Sequence, residues 1–169
     1  MGIFTPDIHN LRELYQEMLQ RALSSERQIV NEGLPGMIKE TTNVELREAF
    51  EHHLDESRMH VSRLERILDE VEGEENASKC KVTAALIGEA SSSAKDAPDA
   101  QLRDVLLIAA GNQVEHHEIA VYGTLKTWAE ILGEFEQAEM LEKTLQEEKN
   151  ADETLTRLSK LVNVEAPIA

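Results

Sequence analysis

The chain has 169 residues, which is enough for one domain with its own hydrophobic core. Its 17 basic and 33 acidic residues give a formal charge of −16, which repels phosphate backbones and anionic lipid headgroups and argues against nucleic-acid and membrane partners. Aromatic residues make up only 4% and glycine and proline are few, so the composition favours an all-α protein.

The first predicted helix spans about residues 6–40. Thr5 as N-cap and Pro6 at the first helical position are typical of a helix start. The apolar stripe that follows contains Glu26 at a position where a core residue is expected. The segment Gly33–Gly36, with proline at its third position, should kink or interrupt the helix before it resumes.

The second predicted helix spans about residues 43–72. The segment Thr42–Glu45 fits a capping box, in which the threonine accepts from the amide three residues on. Histidines occupy two core positions of the stripe that follows, His53 and His60. Glu56 comes three residues after His53 and should lie beside the same face.

Three more helices are predicted over residues 79–94, 98–132 and 135–162, and the first of these is short. The last two are separated by almost no loop, so they should be antiparallel. Two long helical hairpins joined by a crossover predict a four-helix bundle with a short accessory helix, forming a single domain over residues 1–169.

The two C-terminal helices also carry acids in their core stripes. Glu115 lies in a stripe with steps of three and four residues, and Glu118, one turn further on, lies close to the same face. The last helix carries Glu148 and Asp152 in the same way. Burying an unpaired carboxylate costs several kcal/mol, so groups of this kind need cationic partners.

Each of the four long helices thus carries an acid or a histidine near its middle. The predicted metal ligands are Glu26, His53, Glu56, Glu115, Glu118, Glu148 and Asp152. Carboxylates with a minority of imidazole suit iron and manganese and, less selectively, zinc. Di-metal bundles use one Glu from each of two helices and Glu-x-x-His from the other two. This chain alters that pattern, but we expect two transition-metal ions, bridged by Glu56 and by Glu115 or Glu118.

Three further histidines stay open as ligands. A histidine on a core face is more often a hydrogen-bonded structural group than a ligand, which counts against His60. His116 and His117 flank the predicted seam, and at least one of them should face solvent or an acid that supports the site.

Four stretches of the chain resemble the YciE/YciF-like family of bacterial ferritin-like proteins. They are Ser25–Gln28, Phe50–Ser57, Val114–Leu125 and Leu145–Asp152, and the third is the most specific. The resemblance implies a ferritin-like four-helix bundle with an accessory helix, commonly dimeric, with a di-metal site and a link to stress responses. His60 stands where family members often have glutamine, and Ser57 stands where threonine is common.

The sequence therefore supports two hypotheses of function. The first is a di-metal carboxylate protein, loaded with iron or manganese, that carries out redox chemistry on oxygen or peroxide; oxidase, peroxidase and catalase activity all stay open. The alternative is a non-catalytic helical module whose buried acids set packing or an oligomer interface. We expect metal ions and a second copy of the chain as partners. A single cysteine and the lack of a signal-peptide pattern predict a cytoplasmic protein.

Overall fold

The structure is a computed structural model that describes residues 8–70 and 79–166. Its helices are α1 (Leu11–Gln28), α2 (Leu34–Glu40), α3 (Val44–Asp69), α4 (Lys81–Asp96), α5 (Ala100–Leu132) and α6 (Phe135–Val162). A π-helical turn joins α1 to α2, and a 3₁₀ turn follows α6. Within the described ranges there is no strand, and no helix has an apolar stretch of the length needed to cross a bilayer.

Helix α1 begins later than the sequence predicted. Its N-cap is Asn10, whose side-chain oxygen accepts from the amide of Glu13 at 3.0 Å, and this bond satisfies one of the amides left free in the first turn. The predicted cap at Thr5 and Pro6 lies outside the described residues. The start near residue 6 was therefore placed about one turn too early.

The predicted interruption after α1 is a π-helical turn, Ile29–Gly33. The amide of Leu34 donates to the carbonyl of Ile29, five residues earlier. Pro35 follows at the start of α2, where its missing N–H costs least. The helical path then reaches Glu40, as predicted.

The predicted capping box at the start of α3 is wrong in its first residue. Asn43, not Thr42, is the N-cap, and its side-chain oxygen accepts from the amide of Leu46 at 3.0 Å. The hydroxyl of Thr42 instead donates to Asp104 of α5 at 2.6 Å. A tertiary acceptor therefore displaced the local bond that the sequence favoured.

Helices α1, α3, α5 and α6 form the bundle, and α4 is the crossover. Gly133, with φ of 79°, ends α5, and α6 returns antiparallel to it. His53 faces Glu115, and Phe50 lies next to Gly111, so α3 and α5 run parallel. Two consecutive helices of the bundle that run parallel need a long connection between them, which α4 supplies while packing against α5. This is the ferritin-like bundle that the sequence predicted.

The bundle core contains two apolar clusters with a polar layer between them. One cluster is built around Leu19, Leu64, Leu125 and Leu141. The other is built around Phe50, Leu107, Ile108, Leu155 and Leu158. On α3, α5 and α6 the change from one cluster to the other occurs near mid-length, and on α1 it occurs near the C-terminal end, at Glu26. The acids and histidines lie at these points. The apolar ends hold the helices together and thereby force the polar groups into proximity.

Candidate metal centre

Six titratable side chains make up the polar layer. They are Glu26 of α1, His53 and His60 of α3, Glu115 and Glu118 of α5, and Glu148 of α6. None is more than 4% exposed. Spacings of three and seven residues place the pairs within α3 and within α5 on one face of their helix.

The first candidate ligand group contains His53, Glu115, Glu118 and Glu148. One ligand atom from each lies within 4.8 Å of the others. The Nε2 atom of His53 is 3.3 Å from Oε1 of Glu115 and 3.5 Å from Oε2 of Glu148. Three helices therefore direct one imidazole and three carboxylates at a common point.

The second candidate group contains Glu26, His60 and Glu148, again within 4.8 Å of one another. The Nδ1 atom of His60 is 2.9 Å from Oε1 of Glu148 and 3.2 Å from Oε1 of Glu26. Glu148 thus belongs to both groups and presents a different oxygen to each histidine. A carboxylate shared in this way is suited to bridge two cations.

Many buried polar atoms of this layer have no hydrogen bond of normal geometry. They are both oxygens of Glu148, one oxygen each of Glu26, Glu115 and Glu118, both ring nitrogens of His53 and Nδ1 of His60. An unsatisfied buried polar group costs about 1–3 kcal/mol, and more when it is charged. A fold that retains so many together has a donor set in need of cations.

Burial changes the proton affinity of the acids. It raises the pKa of Glu115 well above its ordinary value, with His53 acting in the opposite direction. Burial and the charges of Glu26 and Glu148 raise the pKa of Glu118. Burial alone would raise the pKa of Glu148 too, but contact with His60 and the charges of both histidines lower it. Glu118 therefore has the least support from within the protein for its charged form.

The two histidines take up protons in compensation. Burial disfavours the charged form of His53, yet Glu115 and Glu56 outweigh it and raise its pKa to about 9. For His60, burial is outweighed by contacts with Glu148 and Glu26, which raise its pKa to about 11. In the chain alone, protons on these rings supply the positive charge that bound metal ions would otherwise bring.

Neighbouring residues orient the ligands on the His60 side. The Nε2 atom of His60 is 3.0 Å from Glu147, which also forms a two-point ion pair with Arg63. Nδ1 therefore faces the ligand group, the arrangement by which a supporting acid sets the tautomer of a metal-binding histidine. Tyr122 donates its hydroxyl hydrogen to Oε1 of Glu26.

The structure brings together five of the seven predicted ligands: Glu26, His53, Glu115, Glu118 and Glu148. The other two lie beside them. Glu56 is 3.6 Å from the Nδ1 atom of His53 and is a quarter exposed, and Asp152 is 3.4 Å from the Nε2 atom of His116.

Two residues that the sequence did not assign enter or support the centre. His60, whose role was left open, belongs to the second group. Its position in the core stripe of α3, where it is fully buried, was the feature of the sequence that could have indicated this role. Glu147 lies one position before Glu148, and no feature of the sequence showed its contact with His60 and Arg63. His117 bonds to Cys80, and His116 is largely exposed.

The donor set fits two transition-metal ions. Each group offers one imidazole together with carboxylate oxygens, a combination that suits iron and manganese. The four carboxylates could together balance the charge of two divalent cations. The many buried atoms without hydrogen bonds are the observation that favours this fit over a packed ion-pair network.

Two cavities reach the centre. The larger, of about 380 Å³, lies among the π-helical turn and helices α2, α3, α4 and α5, and it is lined at one end by His53 and Glu115. The smaller, of about 270 Å³, lies between α3, α5 and α6 and is lined by His53, Glu56 and Glu115. Molecules can therefore approach the His53 side from two directions.

Comparison with known proteins agrees with the fold and with the resemblance found in the sequence. Residues 10–166 match the family described as a domain of unknown function, DUF892. Protein YciF of Escherichia coli strain K12 is 36% identical over 157 residues, covering 90% of this chain and 92% of its own. The crystal structure of the E. coli stress protein YciF matches 94% of this chain and 100% of its own with a TM-score of 0.89 and 33% identity. YcfI from Rhodopseudomonas palustris, described as a candidate structural protein, matches 91% of this chain and 98% of its own with a TM-score of 0.85 and 33% identity.

Proposed function

We propose that this chain, which belongs to the DUF892 family, is a ferritin-like di-metal carboxylate protein that binds iron or manganese inside its bundle. The observation that carries the proposal is the sharing of Glu148 by two buried ligand groups whose polar atoms lack hydrogen bonds. The two histidines pair with these carboxylates in the chain alone, but two imidazoles cannot satisfy all the oxygens of four buried glutamates.

The proposed ligands are the six residues of the polar layer. His53, Glu115 and Glu118 would hold one ion, Glu26 and His60 would hold the other, and Glu148 would contact both. This differs from the sequence-based assignment, which gave the bridging role to Glu56 and to Glu115 or Glu118 and made Glu148 a terminal ligand. Glu56 and Asp152 lie beside the centre and belong to neither ligand group. Their role as ligands stays a prediction from the sequence.

When bound, a pair of iron or manganese ions could supply the electrons for oxygen or peroxide reduction. The protein's own residues prepare the site for this. Glu147 and Arg63 hold the ring of His60, and Tyr122 holds Glu26 by a hydrogen bond, so both ligands are oriented before a cation arrives. The apolar clusters on either side exclude bulk water from the layer.

The proposal is tested by metal analysis of protein purified without a metal-affinity column. Loading with Mn²⁺ or Fe²⁺ should give two ions per chain, and an optical spectrum of the iron form should change on exposure to air or peroxide. Glu148→Gln should lose both ions, because both groups use this residue. Glu26→Gln should lose one, and Glu139→Gln, an exposed acid of α6, should lose none. Unchanged stoichiometry in the first two variants would place the metals elsewhere.

The alternative function is a non-catalytic helical module. It is favoured by the description of the R. palustris relative as a candidate structural protein. Such a module should melt at the same temperature with and without a chelator. A metal protein should become less stable when metal is removed, because its ligands then become like charges held together.

The expected cellular setting stays part of the proposal. The similar E. coli protein is described as a stress protein, which supports a role under stress for this chain as well. We further propose a cytoplasmic homodimer. Light scattering of the purified protein tests the dimer, and cell fractionation tests the location.

A further inference from the structure

The larger cavity has apolar walls and charged residues at its ends. Its walls include Ile29, Leu34, Met37, Phe50, Ile87 and Leu107. At the buried end are His53 and Glu115, which are at most 4% exposed. Because the other charged lining residues are at or near the surface, the cavity leads from a charged mouth, past apolar walls, to the polar layer.

Two glycines in the wall of this space let the neighbouring helices pack closely. A Cβ atom on Gly33 would lie 3.2 Å from Cδ1 of Ile87. A Cβ atom on Gly111 would lie 3.4 Å from Cε1 of Phe50 and 2.7 Å from Cδ1 of Leu155. Gly33 is also the last residue of the π-helical turn, an uncommon element that occurs frequently at functional sites. The wall beside the metal centre is therefore built without side chains at these two points.

The mouth of the cavity carries two lysines without ion-pair partners among the described residues. Lys39 and Lys95 line it, are exposed, and form no ion pair among the residues that the structure describes. Glu32 at the rim lies 3.9 Å from Lys79, so its charge is partly compensated, and Glu40 is the remaining acid. Of the four charged residues that line the mouth, two lysines and one glutamate are thus without an ion-pair partner among the described residues, in a chain whose formal charge is −16. The mouth is thus suited to an anionic group.

We propose that this cavity binds a medium-chain fatty acid, with the carboxylate at Lys39 and Lys95 and the end of the alkyl chain beside His53 and Glu115. Apolar walls favour an alkyl chain, and the lysines favour one anionic head. This proposal names a class of ligand for the same centre. It rests on the proposed function only in placing the end of the alkyl chain beside a metal site. Binding itself needs no metal.

The first test is calorimetric titration of the metal-free full-length protein with decanoate. Ala90→Phe places a ring in the cavity wall away from the metal layer and should weaken binding at least tenfold. Lys39→Ala combined with Lys95→Ala should also weaken it about tenfold, whereas the neutral analogue decanol should bind equally to this variant and to the parent. Thermal melts confirm that each variant is folded.

A matched control removes the same charge elsewhere. Lys143 and Lys160 are exposed on α6 and do not line the cavity, so their double alanine variant should bind decanoate like the parent. If both double variants lost the same affinity for decanoate, the loss would come from the change in net charge, and the placement of the carboxylate at Lys39 and Lys95 would be overturned. Unchanged affinity in Ala90→Phe would overturn the cavity as the binding site.

The second test addresses the buried end. With Co²⁺ loaded, the terminal methyl resonance of ¹³C-labelled decanoate should broaden more than the carboxylate resonance, because the chain end lies beside the ligands. The opposite order would overturn the proposed orientation. If the protein binds no metal at all, the proposed function fails, while the calorimetric result still decides whether the cavity takes fatty acids.

Discussion

Buried carboxylates occur in two regions of this molecule and have opposite environments. At one end of the bundle, Asp104 is 3% exposed and accepts from the amide of Thr42, its hydroxyl and the amide of Asn43, at 2.6–2.9 Å. In the central layer, Glu118 and Glu148 are as deeply buried but have oxygens with no hydrogen bond. Burial of an acid therefore does not identify a ligand. An acid that lacks aligned hydrogen bonds and lies within ligand distance of other buried acids and histidines does.

Metal loading should separate the two regions most strongly. When free Mn²⁺ exceeds Kd a thousandfold, the free energy of unfolding should rise by about 4 kcal/mol for a bound site, because the cation binds only the folded ligand set. Denaturant titration with Mn²⁺ and with a chelator measures the difference. Glu148→Gln should lose most of this stabilisation by Mn²⁺. If Mn²⁺ did not change the free energy of unfolding of the parent protein, the central layer would not be a metal site.

The pH dependence of the metal-free protein should be the next largest effect. The pKa values of Glu115 and Glu118 are raised, as are those of His53, to about 9, and His60, to about 11. For a group with a raised pKa, stability is fully present below the unfolded value and is lost as pH rises through the folded value. Metal-free stability should therefore fall between pH 5 and 9.

Each extra proton held by the folded chain contributes a slope of about 1.4 kcal/mol per pH unit. Urea unfolding at a series of pH values checks the sign. With Mn²⁺ bound the trend should reverse, since metal binding releases these protons. A metal-free protein that became more stable over that range would contradict the assignment of protons to the central layer.

Removing the acid at the other region should be costly but independent of metal. Asp104→Ala removes a buried acceptor of three hydrogen bonds from Thr42 and Asn43 and should cost roughly 2 kcal/mol. Urea unfolding should show the same loss with and without chelator, and metal content should not change. Asp55→Ala, at a side chain 78% exposed, is the control and should have little effect. A metal-dependent loss in Asp104→Ala would couple two regions that the structure separates.

The smallest effect is expected from an acid that supports the centre without belonging to it. Glu147→Gln removes the negative charge facing Nε2 of His60 and should weaken metal binding about tenfold, which is about 1.4 kcal/mol. Competition with a chromophoric chelator measures this affinity. Glu142→Gln, on the same helix as Glu147, removes a partly exposed ion pair with Lys126 of α5 and should bind metal like the parent.

Most of the fold followed from local patterns. The limits of α6 and the end of α5 at Gly133 were predictable because helical periodicity and a left-handed glycine are local signals. The N-caps were less predictable. Asn10 and Asn43 act where earlier residues were expected, and at Thr42 the reason is a tertiary contact with Asp104.

The candidate site was predictable where helical phase alone decides burial. Glu115 and Glu148 lie in the centre of their stripes, and both are buried ligand candidates. Glu56 and Asp152 have nearly the same phase but lie at the edge of the seam. Positions three or four residues apart on a helix differ by only about 40–60° around its axis, so sequence spacing does not separate a central position from one at the edge.

By itself, the sequence determined that four helices would bury acids and histidines at mid-length, because the periods of its apolar residues prescribe which face turns inward. Only the tertiary structure decided which of those groups meet. Glu148 became common to His53 and His60 because α3 and α6 pack with these residues at one level, and Glu147 became a support because Arg63 comes across from α3. Distances between side chains on different helices depend on how the apolar clusters pack, and no single helix encodes that packing.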